Sequence, residues 1–295
     1  MSISSYFAPG RFGLSYELFP PKTDKGTSAL FGHLSDLLRF KPDFVTCTYG
    51  AGGSTRGATL DICKRVKQEF GLPVASHLTV VGSTKDELRQ YLREAKEAGV
   101  DYIVALRGDP PQGTEEFRPV DGGLSYANEL VSLIKDESFD FDLAVAGYPE
   151  THQECASPTL DLENLKRKVD AGADIIVTQL FYHNDDYFQF VEKCQNLGIT
   201  IPIVPGVLPV TDLGQIQRLT SMCGAKLPAS LVQRLSERDD SEWQFKQGVD
   251  FAIEQVQQLI DHGIPGLHFY VLNKSQATLK VLDSVSLPEA WQSKD

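Results

Sequence analysis

Short apolar runs and longer amphipathic ones alternate along almost the whole chain. Apolar and β-branched residues dominate at 13–19 (GLSYELF), 43–48 (DFVTCT), 73–80 (PVASHLTV), 102–106 (YIVAL), 142–148, 174–181, 202–208 and 266–272. Runs this short predict strands buried on both faces, which need no polar alternation. Between them, at 28–40, 59–71, 84–99, 125–136, 161–173, 185–198 and 211–223, the segments read as amphipathic helices. Several of these end on glycine just before the next strand, a helix stop signal.

Strand–helix alternation repeated eight times predicts an α/β fold of the (β/α)8 TIM barrel type rather than an open doubly wound sheet. The stretch 226–263 is too long for one connection, and 228–238 and 241–263 predict extra helices inserted before strand eight. No linker, low-complexity tract or evident internal repeat divides the chain, so one domain over residues 1–295 is expected.

Composition narrows the partners. A formal net charge of −12 and a pI near 5.0 argue against nucleic acid or an anionic membrane surface, both of which need basic patches. Small anionic molecules stay open, because a few local cations suffice for them. The five cysteines are scattered with no C-x-x-C pair, which supports neither a disulfide framework nor a zinc site. The HNDD at 183–186 reads better as a solvated loop opening a helix than as a metal site, and no metal is expected. The N-terminus has no apolar signal core and no run approaches a membrane span, so a cytoplasmic protein is expected.

In such barrels the chemistry lies at the C-terminal ends of the strands. Those ends carry Glu17, Thr48, His77, Arg107 with Asp109, Tyr148 and Gln179; Gln215 opens the helix after strand seven, and Asn273 and Lys274 follow strand eight. Glu17 is the most informative, because a carboxylate inside the apolar SYELFPP is costly without a partner. Burial would let it hold a proton near neutrality and donate it; a salt bridge to a neighbouring strand is the plainer alternative. The glycine-rich 48–57 (TYGAGGSTRG) is neither a Walker A nor a G-x-G-x-x-G motif, and reads equally as a cradle for a flat or phosphorylated ligand or as a loop tip. Asp161, Asn164 and Lys168 share one helical face with Arg167 beside them, either a ribose-and-phosphate surface or an ordinary solvated face.

Taken together, YELFPPK (16–22), TYGAGGSTR (48–56), ALRGDPP (105–111), AGYPETH (146–152), NLKRKVDAGAD (164–174), TQLFY (178–182), PGVLPV (205–210) and HFYVLNK (268–274) resemble the 5,10-methylenetetrahydrofolate reductase family, in its bacterial form that has only the catalytic domain. The likeness runs in order from about residue 12 to 285. It implies an enzyme that binds FAD without a Rossmann motif, takes hydride from NADH (NADPH being the other possible donor) and passes it from flavin N5 to methylenetetrahydrofolate in a ping-pong sequence, yielding 5-methyltetrahydrofolate for methionine supply. Carried across residue by residue, Glu17 becomes the acid that protonates the folate's N10, and Asp109 lies beside the flavin and the pterin. FAD contacts would come from Tyr49, Ala51, His77, Arg107, Gly108, Asp109, Tyr126, Ala127, Tyr148, His152, Asp161, Asn164, Arg167 and Lys168. Thr48 and Gln179 match nicotinamide contacts, and Asp109, Gln179, Gln215 and Lys274 match folate contacts.

The resemblance also implies a homo-oligomer. With the chain ending soon after residue 285, it implies no regulatory domain of the eukaryotic kind. The sequence departs from the pattern at Lys274, where arginine is usual, and at Leu219, where the bacterial enzyme carries phenylalanine. Two other classes fit the strand ends: a pterin-dependent transferase or lyase barrel using Glu17 and Asp109 without flavin, and a flavin- or folate-binding protein without turnover.

Overall fold

The structure, a computed structural model, describes residues 1–49, 56–110 and 117–292. Its strands are β1 Gly13–Leu18, β2 Phe44–Cys47, β3 Val74–Thr79, β4 Tyr102–Leu106, β5 Asp142–Gly147, β6 Ile175–Thr178, β7 Ile203–Val204, β8 Gly206–Val207 and β9 Gly266–Tyr270. All are parallel, in the order β7-β6-β5-β4-β3-β2-β1-β9-β8. Because β7 and β8 are consecutive pieces of one stave, the ring closes through residues 203–207, and the expected barrel is present.

That stave departs from the continuous strand expected at 202–208. Pro205 has no N–H to give a ladder, so the stave breaks there: β7 pairs with β6 and β8 with β9. Side chains close the seam. Thr178 Oγ1 accepts from Gly206 N at 2.9 Å, and the Tyr270 hydroxyl donates to Thr178 O at 2.7 Å. A Cβ on Gly206 would lie 2.3 Å from Thr178 O, which leaves glycine as the residue that fits.

Helices α1 Asp24–Leu37, α2 Arg56–Phe70, α3 Lys85–Glu97, α4 Ala127–Asp136, α5 Pro158–Asp170, α6 Asn184–Asn196 and α7 Leu213–Cys223 follow the strands in turn. The expected insertion is α8 Ala229–Ser236 and α9 Ser241–Asp261, and α10 Gln276–Ser284 follows β9. Helix α3 shows how local sequence sets each unit. Thr84 and Glu87 form a reciprocal capping box at its start, Leu88, Tyr91, Leu92 and Ala95 bury one face, and Gly99 at φ 80° turns the chain into β4.

A repeat invisible in the linear sequence organises the N-terminal end of the barrel. Asp43, Asp101 and Asp174 each stand just before an even-numbered strand and accept the backbone N–H of Leu14, Val74 and Leu143 on the preceding odd one, at 2.8, 2.9 and 2.7 Å. Lys67 pairs with Asp101 and Lys135 with Asp174. A 3₁₀ turn, Ile3–Phe7, plugs this end, burying Ile3, Tyr6 and Phe7 against Phe44, Tyr102 and Val204. The plug was not anticipated from the sequence. It leaves the opposite end for a ligand. Among the described residues, no helix is long and apolar enough to cross a membrane, and no cluster of three His, Cys, Asp or Glu could hold a metal.

Candidate active site

Side-chain alternation along the strands decides what enters the barrel mouth. Glu17 on β1, Thr46 on β2, His77 and Thr79 on β3, and His268 and Tyr270 on β9 line a cavity of about 490 Å³. Thr48, Tyr49, Arg107, Gly108, Asp109, Tyr148, His152 and Gln179 complete the wall from the loops, over an apolar floor that includes Val104, Val145 and Val177. Ten of the residues singled out from the sequence therefore meet around one space of ordinary ligand-pocket size.

Glu17 is 7% exposed and lies between two imidazoles, with its Oε2 3.4 Å from His77 Nε2 and 4.0 Å from His268 Nε2. The two readings of Glu17 are thus compatible in space: the carboxyl faces basic rings on one side and the cavity on the other. Burial holds His77 below its ordinary range, with the Glu17 charge opposing, so the ring is neutral at neutral pH. His268 Nδ1 lies 2.8 Å from Ser15 Oγ, deeper in the barrel.

At the end of β4, Arg107 Nη1 donates to Glu154 Oε2 at 2.6 Å, and the guanidinium sits 5.2 Å from the Phe117 ring centroid. Arg107 in turn holds the Glu154 carboxyl below its ordinary range. Gly108 has φ 88°, and a Cβ there would come 2.6 Å from Val81 Cγ1. Its missing side chain therefore serves the packing of β4 against the end of β3 as well as a lining position. Asp109 is exposed on the rim.

The α5 residues stand behind this wall and do not line the cavity. Asp161 Oδ2 accepts from His152 N at 3.0 Å, and Lys168 Nζ donates to Ala146 O at 2.5 Å, so both brace the 146–152 segment. Burial pulls Lys168 down to about 8, with Asp161 opposing. Burial likewise raises Tyr148 above its ordinary value and, with Arg107, lowers His152; their rings meet edge to face at 4.7 Å. Arg167 is exposed and donates to Asn164 Oδ1 at 2.5 Å. Tyr126, 61% exposed, and Ala127 sit at the start of α4, outside the cavity lining. Gln215 lines a small adjoining pocket that shares Leu208, Leu219 and Leu272 with the main one, and Lys274 is exposed beyond the mouth. Ala51 lies outside the described residues.

Sequence reasoning missed His268, Tyr270, Thr46, Thr79 and Glu154. A buried histidine two residues before a strand end was a usable signal; the threonines offered none, since threonine is ordinary in strands. Among the described residues, the Thr46 and Thr79 hydroxyls are buried without a hydrogen-bond partner. Two orphaned hydroxyls on a cavity wall call for polar ligand atoms, and with the apolar floor and Arg107 they suit a flat ring with polar edges and an anionic tail.

The family model for methylenetetrahydrofolate reductase matches residues 2–286. The chain is 38% identical over 279 residues to 5,10-methylenetetrahydrofolate reductase of Escherichia coli, covering 94% of this chain and 92% of that one. It is 38% identical over 296 residues to methylenetetrahydrofolate reductase (NADH) 1 of Arabidopsis thaliana, covering 97% of this chain and 50% of the plant protein. The chain thus spans about half the length of the plant relatives it matches. Among solved structures, an uncharacterised Clostridium thermocellum protein that binds two copies of 5-methyl-5,6,7,8-tetrahydrofolic acid superposes with TM-score 0.65 at 16% identity, covering 95% of this chain and 96% of that one. Dihydropteroate synthase from Xanthomonas albilineans superposes at 0.51 with 13% identity, covering 92% and 91%. These two share the barrel fold. A family match that runs through every strand delivering a side chain to the cavity leads to one conclusion: the chain belongs to the methylenetetrahydrofolate reductase family.

Proposed function

We propose that this protein reduces 5,10-methylenetetrahydrofolate to 5-methyltetrahydrofolate, with FAD as bound cofactor and NADH as reductant, the two substrates using the same face in turn. The observation that carries the reading is Glu17: a carboxyl buried in an apolar strand, yet opening on the cavity shared with Asp109 and Gln179. The NADH in the names of the plant relatives supports that reductant. The folate bound by the Clostridium thermocellum protein supports a folate at a barrel of this shape.

The orphaned Thr46 and Thr79 hydroxyls and the apolar floor suit the flavin ring, and Arg107 and His152 suit the anionic remainder, with Lys168 bracing the 146–152 segment behind them. Bound there, FAD supplies two-electron hydride carriage between nicotinamide and folate. The chain's own part is then positional and acid–base. Arg107 gives up Glu154 or shares it to meet a phosphate. Gln179 and Asp109 hold the ring edges of the visiting substrate. Glu17 delivers a proton to the folate's N10, opening the five-membered ring so that its methylene carbon becomes electrophilic. Lys274, at the open mouth, meets the glutamate tail as a point charge.

The deciding experiment is optical. Purified protein should be yellow, its flavin absorbance bleached by NADH under anaerobic conditions and restored by methylenetetrahydrofolate. A colourless protein that neither binds FAD nor needs it would overturn the proposal. Bleaching without restoration would leave a nicotinamide-oxidising flavoprotein that does not reduce folate. We also expect a cytoplasmic homo-oligomer, which light scattering of the purified protein tests in part.

A further inference from the structure

We infer that Asn273 is a positioning residue: its amide stands in for a strand peptide beside β1 and holds Phe19 on the cavity rim, as a wall for the aromatic ring between N10 and the glutamate tail of the folate. This rests on the proposed reduction of methylenetetrahydrofolate. Strands β1 and β9 pair in parallel as far as Glu17 opposite Tyr270. Two residues further on, the chain of β9 has turned away and its ladder has stopped. There Asn273 Oδ1 accepts from Phe19 N at 2.9 Å, and Asn273 Nδ2 donates to Phe19 O at 2.7 Å. A backbone N–H can only donate and a carbonyl can only accept, so the orientation of the amide is fixed. Of the side chains this short, asparagine is the one with a donor and an acceptor on separate atoms. Pro20 and Pro21 come next and have no N–H to extend the strand.

The turn that presents this amide is a strained one. Val271 O accepts from Lys274 N at 2.8 Å, and the two central residues, Leu272 and Asn273, have φ 47° and 56°. Positive φ at both centres is the type I′ pattern, which glycine and asparagine tolerate and leucine does not favour. Ease in left-handed backbone alone could account for Asn273, but not for Leu272, whose side chain lines the cavity with Phe19. Buried Ser275 anchors the far side of the turn: its Oγ donates to Asp36 Oδ2 at 3.0 Å and lies 3.0 Å from His33 Nδ1, both on α1. The turn is thereby tied to β1 and α1, the two elements that flank Phe19. Phe19 itself is 37% exposed on the cavity lining, which leaves a face of its ring for a ligand. Strand alternation puts it on the same face as Glu17, about 7 Å nearer the mouth. In the folate, the aromatic ring is bonded to N10 and carries the glutamate on its far side. Glu17, Phe19 and Lys274 then meet N10, ring and tail in that order.

Asn273→Gly, Phe19→Ala and the double variant, prepared as FAD-loaded protein, test this in two reactions: NADH oxidation by an artificial acceptor, and methylenetetrahydrofolate reduction. Glycine suits φ 56° at least as well as asparagine, so Asn273→Gly removes the clamp and keeps the turn. It should raise the folate KM about three- to tenfold, the scale of one aromatic contact, with kcat and NADH oxidation nearly unchanged. Phe19→Ala should raise KM at least as much. The double variant should go no further than Phe19→Ala alone, because Asn273 acts through Phe19. An unchanged KM in either single variant overturns the inference. So does a double variant whose effect is the product of the two, which separates Asn273 from Phe19. A parallel fall of both reactions, or loss of folding or of bound FAD in Asn273→Gly, assigns the clamp to structure and overturns it too. All these outcomes leave folate reduction standing where the wild type turns over. A wild type that NADH reduces but that does not reduce folate removes that reading, and this inference with it.

Discussion

His77 Nε2 lies 3.4 Å from Glu17 Oε2, inside the barrel and away from bulk water. In the reaction proposed here Glu17 separates the two half-reactions, because hydride passage from NADH needs no acid whereas opening the folate ring needs a proton. Glu17→Gln keeps size and hydrogen bonding but has no proton to give. NADH oxidation should survive within a few-fold, and folate reduction should fall by roughly 10²–10⁴-fold, the scale of a lost general acid. Stopped-flow absorbance of the flavin reads both.

The same histidine sets a pH dependence of stability. Burial lowers the native His77 below its ordinary value of 6.5, and His152 shifts the same way. The unfolded chain then binds more protons than the native one, so stability is complete above the ordinary value and declines as pH falls through it toward the lowered native value. The Tm should drop on acidification below about pH 6.5, and His77→Gln should reduce that slope in calorimetry across this window. An equal slope in wild type and variant would show that other groups carry the effect.

Lys274 is exposed and does not line the cavity, and in the reading proposed here it meets the glutamate tail of the folate. Lys274→Ala should raise the folate KM about ten- to hundredfold, the loss of one charge-assisted contact, and leave flavin reduction by NADH nearly unchanged. Equal damage to both half-reactions would assign Lys274 to cofactor binding or structure.

Asp109 lines the cavity from its rim with a negative charge. Beside a flavin, that charge opposes the accumulation of electrons on the ring, so Asp109→Asn should shift the midpoint potential positive while slowing hydride delivery to folate. Spectroelectrochemical titration checks the sign. A potential that moves negative would place the carboxylate away from the ring.

Gly206 tests the seam of the barrel. Its substitution by alanine brings a Cβ to 2.3 Å from Thr178 O and 2.7 Å from the Tyr270 ring. Overpacking of this kind costs about 1–3 kcal/mol. Because Thr178 precedes Gln179, Gly206→Ala should lower the Tm and weaken folate binding together, measured by calorimetry and by KM.

The sequence by itself determined the barrel and much of its mouth. Each βα unit carries its own signals: an apolar run such as Tyr102–Leu106, a capping box at Thr84 and Glu87, and a glycine stop at Gly99. These act within a few residues of one another and can be read along the line. Glu17 was legible for the same reason, since its conflict with an apolar strand is local. Tertiary structure alone decided what requires distant segments to meet. Ser15 and His268 become partners only when β1 and β9 pair, and Glu154 becomes the counter-ion of Arg107 only when neighbouring loops converge. The break at Pro205, the clamps of Asp43, Asp101 and Asp174, and the Ile3–Phe7 plug depend equally on ring closure. Local signals choose helix or strand through short-range backbone and packing preferences. Closure of the ring then brings together side chains far apart in sequence, and so decides which polar groups find partners and which, like Thr46 and Thr79, are left facing the cavity.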